Sequence, residues 1–91
     1  MELRWTEAAA ADLEHIADYL FEHTPLHAER ILRALYESPK QLLKFPALGR
    51  PGRAEGTREL VLTPLPYVVV YAVGGDVIHV ARILHGAQKW P

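Results

Sequence analysis

Arg58, His79, Arg82 and His85 are the residues whose types suit chemistry on a phosphate. Arginine holds a phosphate through two parallel hydrogen bonds, and histidine titrates near neutrality. A metal-free ribonuclease needs little more than that pair of abilities. On this reading Arg58, Arg82 and His85 are the catalytic candidates. Strict alternation, however, sends Arg82 and His85 to opposite faces of a strand. Arg82 opposite Tyr67 also has a structural use, as a cation–π pair. Asp12, His15 and Asp18 lie at i, i+3 and i+6, a spacing that could bind a metal. A bundle site needs further ligands from a facing helix. None stands at matching spacing, so neither metal nor cofactor is expected. Gly49, Gly52 and Gly56 lie among arginines, but no Gly-Lys-Ser/Thr follows, which argues against a phosphate loop. Arg50 and Arg53 in that segment remain candidates for contact with an acidic partner.

The elements that must position these side chains can be read from period and punctuation. Leu3–Trp5 is a short strand candidate. Thr6 is placed to cap a helix over about residues 7–23, with Leu13, Ile16, Ala17, Leu20 and Phe21 on one face. Thr24-Pro25 restarts a helix, Thr24 as its N-cap, striped by Ala28, Ile31, Leu32, Leu35, Leu42 and Phe45. Ser38-Pro39 should interrupt that helix and Phe45-Pro46 end it. Residues 47–56 read as a loop. Strands are expected over 58–63, 67–73 and 76–85, with Gly74-Gly75 as a two-residue hairpin turn.

That turn would set Tyr71 opposite Ile78 and Tyr67 opposite Arg82. One hairpin face then carries Tyr67, Val69, Tyr71, Ile78, Val80, Arg82 and Leu84. The other carries Val68, Val70, Ala72, Val77, His79, Ala81, Ile83 and His85. Both faces are largely apolar, and one helix hairpin covers one of them. Val68, Val70 and His79 are therefore candidates for a face covered by another chain, together with Arg50, Arg53, Arg58 and Trp90. The fold class is α+β: a short N-terminal strand, an antiparallel helix hairpin, then an antiparallel three-strand meander, all in one domain over 1–91.

The chain has 91 residues, no cysteine and a net charge of −1. One core is possible at this size. The lack of thiols excludes disulfides and thiolate metal sites and favours a cytoplasmic location. No apolar run is long enough for a membrane span, and the first residues do not read as a signal peptide. The small net charge hides a division. Residues 1–37 carry eight acids and three bases, net −5; residues 38–91 carry seven bases and three acids, net +4. That polarity hints at a basic face meeting an acidic partner.

The chain resembles the RelE/ParE superfamily of type II toxin–antitoxin toxins. The resemblance rests on Trp5-Thr6-Glu7-Ala8 through Asp12-Leu13, Phe45-Pro46-Ala47-Leu48-Gly49-Arg50, Gly56-Thr57-Arg58-Glu59-Leu60, Pro66-Tyr67-Val68-Val69-Val70-Tyr71, and Ile83-Leu84-His85 to Trp90-Pro91. It implies one of two activities. RelE-like members cleave mRNA on the ribosome with basic residues and an aromatic hydroxyl. ParE members bind and poison DNA gyrase. Here Val68 stands where a RelE-like arginine would lie, Glu59 and Val61 where lysines would, and Trp90 replaces the terminal hydroxyl. The resemblance therefore implies a ParE-like toxin. A cognate antitoxin would neutralise it in a hetero-oligomeric complex, and the resemblance implies plasmid stabilization as the biological setting. Ribosome-dependent mRNA cleavage is the alternative.

Overall fold

Thr6 ends the first strand and starts the first helix with a single side chain. The structure is a computed structural model, and residues 1–86, 88 and 90 are described. Strand β1 is Glu2–Trp5, and helices α1 and α2 are Glu7–His23 and Pro25–Glu37. A 3₁₀ segment covers Ser38–Leu43. The Thr6 hydroxyl accepts a hydrogen bond from the Ala9 N–H at 3.1 Å, the cap its position calls for. It also donates to the Ala81 carbonyl at 2.9 Å, fastening the helix start to the sheet. Thr6→Ala removes both bonds and is expected to cost about 1–2 kcal/mol in urea unfolding. Thr24 does precede α2, but its side chain makes no capping bond there. Pro25 sets the first turn instead. Pro39 stops the α-helix as expected, and the chain tightens to 3₁₀ rather than continuing.

The remaining strands are β2 (Arg50–Pro51), β3 (Arg58–Val61), β4 (Tyr67–Gly74) and β5 (Val77–His85). They form one sheet in the order β1-β5-β4-β3-β2. The expected antiparallel meander is present as β3, β4 and β5. The sheet as a whole is mixed, because β1 joins β5 in parallel. Arg50-Pro51, expected within a loop, adds a two-residue edge strand to β3.

The hairpin register differs from the sequence expectation twice. The turn residues are Gly75 and Asp76, since Gly74 pairs with Val77. Gly75 supplies the positive φ, 58°, that the first central turn position needs. A bulge then falls where Val70 pairs with Arg82 but Tyr71 pairs with Val80, leaving Ala81 unpaired. Beyond it β5 runs out of phase by one residue. Tyr67 pairs with His85 rather than Arg82, so the expected Tyr67–Arg82 pair does not form. Ile83 joins the helix-side core, and Leu84 moves to the opposite face beside Val68.

That core holds Leu35 and Leu42 from the helical layer against Leu60, Val69, Tyr71, Ile78, Val80 and Ile83. Two expected core residues lie outside it: Phe21 and Phe45 are 54% and 62% exposed. The buried line of α1 runs instead through Ala9 and Leu20. Asp12 falls on the same side at helical spacing.

Candidate functional site

Of the residues singled out by sequence, some line one surface and others hold the fold together; a second surface lies on the helix hairpin. Arg82 Nε and Nη2 donate to the two Asp12 carboxylate oxygens at 2.7 and 3.0 Å. Asp12 Oδ2 also accepts the Ile83 N–H at 3.0 Å. One carboxylate on α1 thus takes a guanidinium and a backbone donor from the strand just after the bulge. The hydrogen bond from Arg82 to Asp12 holds the arginine pKa above its usual value. Arg58 is equally committed. Its Nε donates to the Gly49 carbonyl at 2.8 Å and its Nη2 to the Ala47 carbonyl at 3.1 Å. Tyr71 reinforces that contact, donating to the Pro46 carbonyl at 2.7 Å and accepting the Gly49 N–H at 2.9 Å.

The three catalytic candidates do not converge. Arg58 pairs with Tyr71 and His85 with Tyr67. Four residues of strand separate those positions, about 13 Å. His85 is exposed at the end of β5, and its ring meets the edge of Tyr67 at 5.8 Å. Burial pushes the Tyr67 hydroxyl pKa up, so the phenol beside His85 stays protonated near neutrality. His79 is exposed and lies opposite Arg4 of β1, six residues before His85 on β5.

The first surface is the sheet face away from the helices. Arg50, Arg53, Glu59, His85 and Trp90 surround a small cavity of about 70 Å³, lined also by Val68, Val70 and Leu84. Glu59 is the residue that sequence reasoning missed here. Its carboxylate is 13% exposed and pairs with Arg50 at 3.0 Å. It also accepts the Arg53 N–H at 3.4 Å. Half of the expected cationic pair is thereby neutralised. Val70 is fully buried and Leu84 nearly so. Val70 therefore offers a partner no surface, which corrects its place among the partner-binding candidates. The chain covers this part of its second face itself. Val68 is half-buried and Trp90 partly exposed.

The second surface lies on the helix hairpin. Trp5 stacks on Tyr36 with ring centroids 5.8 Å apart. With Leu13, Ala17, Phe21 and Leu32 these rings line an apolar groove of about 840 Å³. Glu14, Glu29 and Glu37 stand along it, and its one arginine, Arg33, is paired with Glu29 at 2.9 Å. Nothing in the sequence reading marked this groove. Its signal was Phe21, Leu32 and Tyr36, apolar residues in excess of what one sheet face could bury.

The order of elements, the capped helix hairpin and the five-stranded mixed sheet have counterparts among known proteins. A family model for the ParE toxin of the type II toxin–antitoxin system parDE matches residues 3–90. The chain belongs to the ParE toxin family. A solved structure titled as the chromosomal ParDE TA system from P. aeruginosa shares the fold with a TM-score of 0.85. It is 33% identical, with 93% of this chain and 95% of that one covered. Toxin RelE2 of Caulobacter vibrioides is 40% identical over 84 residues, covering 92% of this chain and 93% of the relative. Y4kP of Sinorhizobium fredii is 37% identical over 89 residues, covering 98% and 92%. As a ParE-type toxin of a type II system, the chain has an antitoxin as the partner its family implies. Among the described residues no three acidic or histidine side chains gather as a metal site, and no helix is long and apolar enough to cross a membrane.

Proposed function

We propose that this ParE-family toxin arrests growth in the cytoplasm by binding DNA gyrase, with no catalysis of its own. The observation that carries the reading is the commitment of Arg82 to Asp12 and of Arg58 to the Gly49 and Ala47 carbonyls. A metal-free ribonuclease needs free cations around the scissile phosphate. Here the two arginines hold an α1–β5 junction and a loop, and of the two cations that share a cavity with His85 among the described residues, Arg50 is paired with Glu59, which leaves Arg53 alone. The hairpin groove supports neutralisation by a cognate antitoxin. An amphipathic helix laying its apolar side on Trp5, Phe21, Leu32 and Tyr36 would remove that surface from water. Such a segment meets the acids Glu14, Glu29 and Glu37. An acidic stretch of the antitoxin is better placed at Arg53, whose guanidinium has no partner among the described residues.

A gyrase supercoiling assay run beside a translation-coupled mRNA cleavage assay tests the proposal. The purified toxin is expected to block supercoiling, and the antitoxin to restore it. His85→Ala should leave that inhibition within about fivefold of the native value, because a surface contact of this kind contributes under about 1 kcal/mol. Cleavage of mRNA that disappears in His85→Ala, with supercoiling untouched throughout, would replace the gyrase reading by the ribonuclease one.

A further inference from the structure

The two edges of the sheet are treated differently. On one side the last strand is Arg50–Pro51, two residues long and ended by a proline, a common way to keep an edge from pairing. The other edge is β1, which has four residues, no proline and no bulge. The hydrogen bonds of β1 to β5 show which backbone groups remain. The Glu2 N–H bonds the Asp76 carbonyl at 2.7 Å and the Thr6 N–H bonds the Val80 carbonyl at 3.0 Å. Even-numbered residues therefore face β5, and the N–H and C=O groups of Leu3 and Trp5 point outward from the sheet. The exposed side chains along this edge are one acid and one base two residues apart. Glu2 and Arg4 pair at 3.0 Å, each more than half exposed.

We infer that this edge pairs with the same edge of a second copy of the chain, antiparallel about a two-fold axis at Leu3. In that register Leu3 of each copy exchanges both backbone bonds with Leu3 of the other. Glu2 then lies directly opposite the second copy's Arg4, and by symmetry Arg4 opposite the second copy's Glu2. These are non-hydrogen-bonded positions, where facing side chains come closest and opposite charges stabilise. The neighbouring register that also uses the Leu3 and Trp5 backbone groups sets Arg4 against Arg4, which is disfavoured. A charged edge ordinarily discourages pairing. Here the acid and base are spaced so that the strand is complementary to itself, as an isologous contact requires. The result is a ten-stranded sheet with both helix layers on one side. Four residues a side bury less than a standard interface, so the association is weak and visible only at high concentration. It does not depend on the gyrase reading.

Sedimentation velocity over a series reaching millimolar chain tests this directly. The native protein is expected to shift from monomer to dimer, and the Leu3 and Trp5 amides to gain hydrogen-exchange protection with concentration. Arg4→Glu makes the edge wholly acidic and Glu2→Arg makes it wholly basic. Each variant alone should dimerise about tenfold more weakly, since two favourable pairs become two repulsions. An equimolar mixture of the two should recover dimer to within about threefold of the native constant. The mixture isolates the contact between copies, because both variants lack the Glu2–Arg4 bridge within the chain. Each of three results would overturn the inference: a native chain that stays monomeric, single variants that dimerise like the native chain, or a mixture that does not recover. Protection at Leu3 and Trp5 that depends on antitoxin and not on concentration would assign the edge to a strand of the antitoxin instead.

Discussion

Val70→Asp is expected to strip the isolated toxin of about half or more of its stability. Val70 is fully buried in the middle of β4, and the cavity beside it is walled by Glu59, whose carboxylate would repel a second one. An unpaired buried carboxylate costs several kcal/mol, on the order of 3–5 here. A domain of this size is stabilised by only about 5–10 kcal/mol in total. Urea unfolding followed by circular dichroism should show a midpoint lowered by more than half, or no cooperative transition at all. Val68→Asp is the matched control on the same face. Val68 is half-buried at the cavity mouth, where water can solvate the charge. That variant should stay folded and lose affinity for whatever covers the mouth. A folded Val70→Asp protein with native stability would mean that this face opens far more readily than its burial indicates.

The second large effect is expected at Asp12. Asp12→Ala removes the acceptor of three hydrogen bonds and leaves the half-buried Arg82 guanidinium and the Ile83 N–H without it. The side chains of Arg82 and Asp12 are 31% and 14% exposed, so solvent takes up part of the loss. The expected destabilisation is about 2–4 kcal/mol. Arg82→Ala added to Asp12→Ala should cost much less than the sum of the two single changes, since both act on one contact. Additive effects in that double-mutant cycle would show the pair to be incidental. The Ile83 amide should exchange faster in the Asp12 variant. This reports on the bulge separately from the ion pair.

Much of the architecture was legible because its signals are local. Thr6 reads as a cap since its hydroxyl needs only the N–H three residues on. Pro25 and Pro39 read as a start and a stop, since proline acts on its own turn. The three strands of the meander were visible as β-rich runs bounded by glycine and proline. The register was not. A one-residue bulge leaves the alternation of a Val-Ala-Arg-Ile run looking regular, and nothing within β5 marks Ala81 as the residue to skip. What fixes it lies some seventy residues earlier, in Thr6 and Asp12. One signal was present in retrospect: a carboxylate at helical spacing from Ala9 and Ile16, on the side of α1 that the sheet must cover.

The candidate site divides in the same way. Arg50 and Arg53 stand out in the sequence as exposed cations, and exposure is what the structure finds. The pairing of Arg50 with Glu59 did not stand out, because the eight residues between them fold back to pair β2 with β3. The acidic and basic halves likewise looked like separate faces. Asp12 and Arg82 belong to opposite halves and neutralise one another across the α1–β5 contact.

By itself, then, the sequence determined the elements other than β2, their order along the chain, the α+β class and a set of residues chemically able to bind anions. Those properties depend on side-chain type and on neighbours a few positions away. Only the tertiary structure decided which arginines are free. A guanidinium takes whatever acceptors the fold brings within 3 Å, and for Arg58 and Arg82 those acceptors are the chain's own.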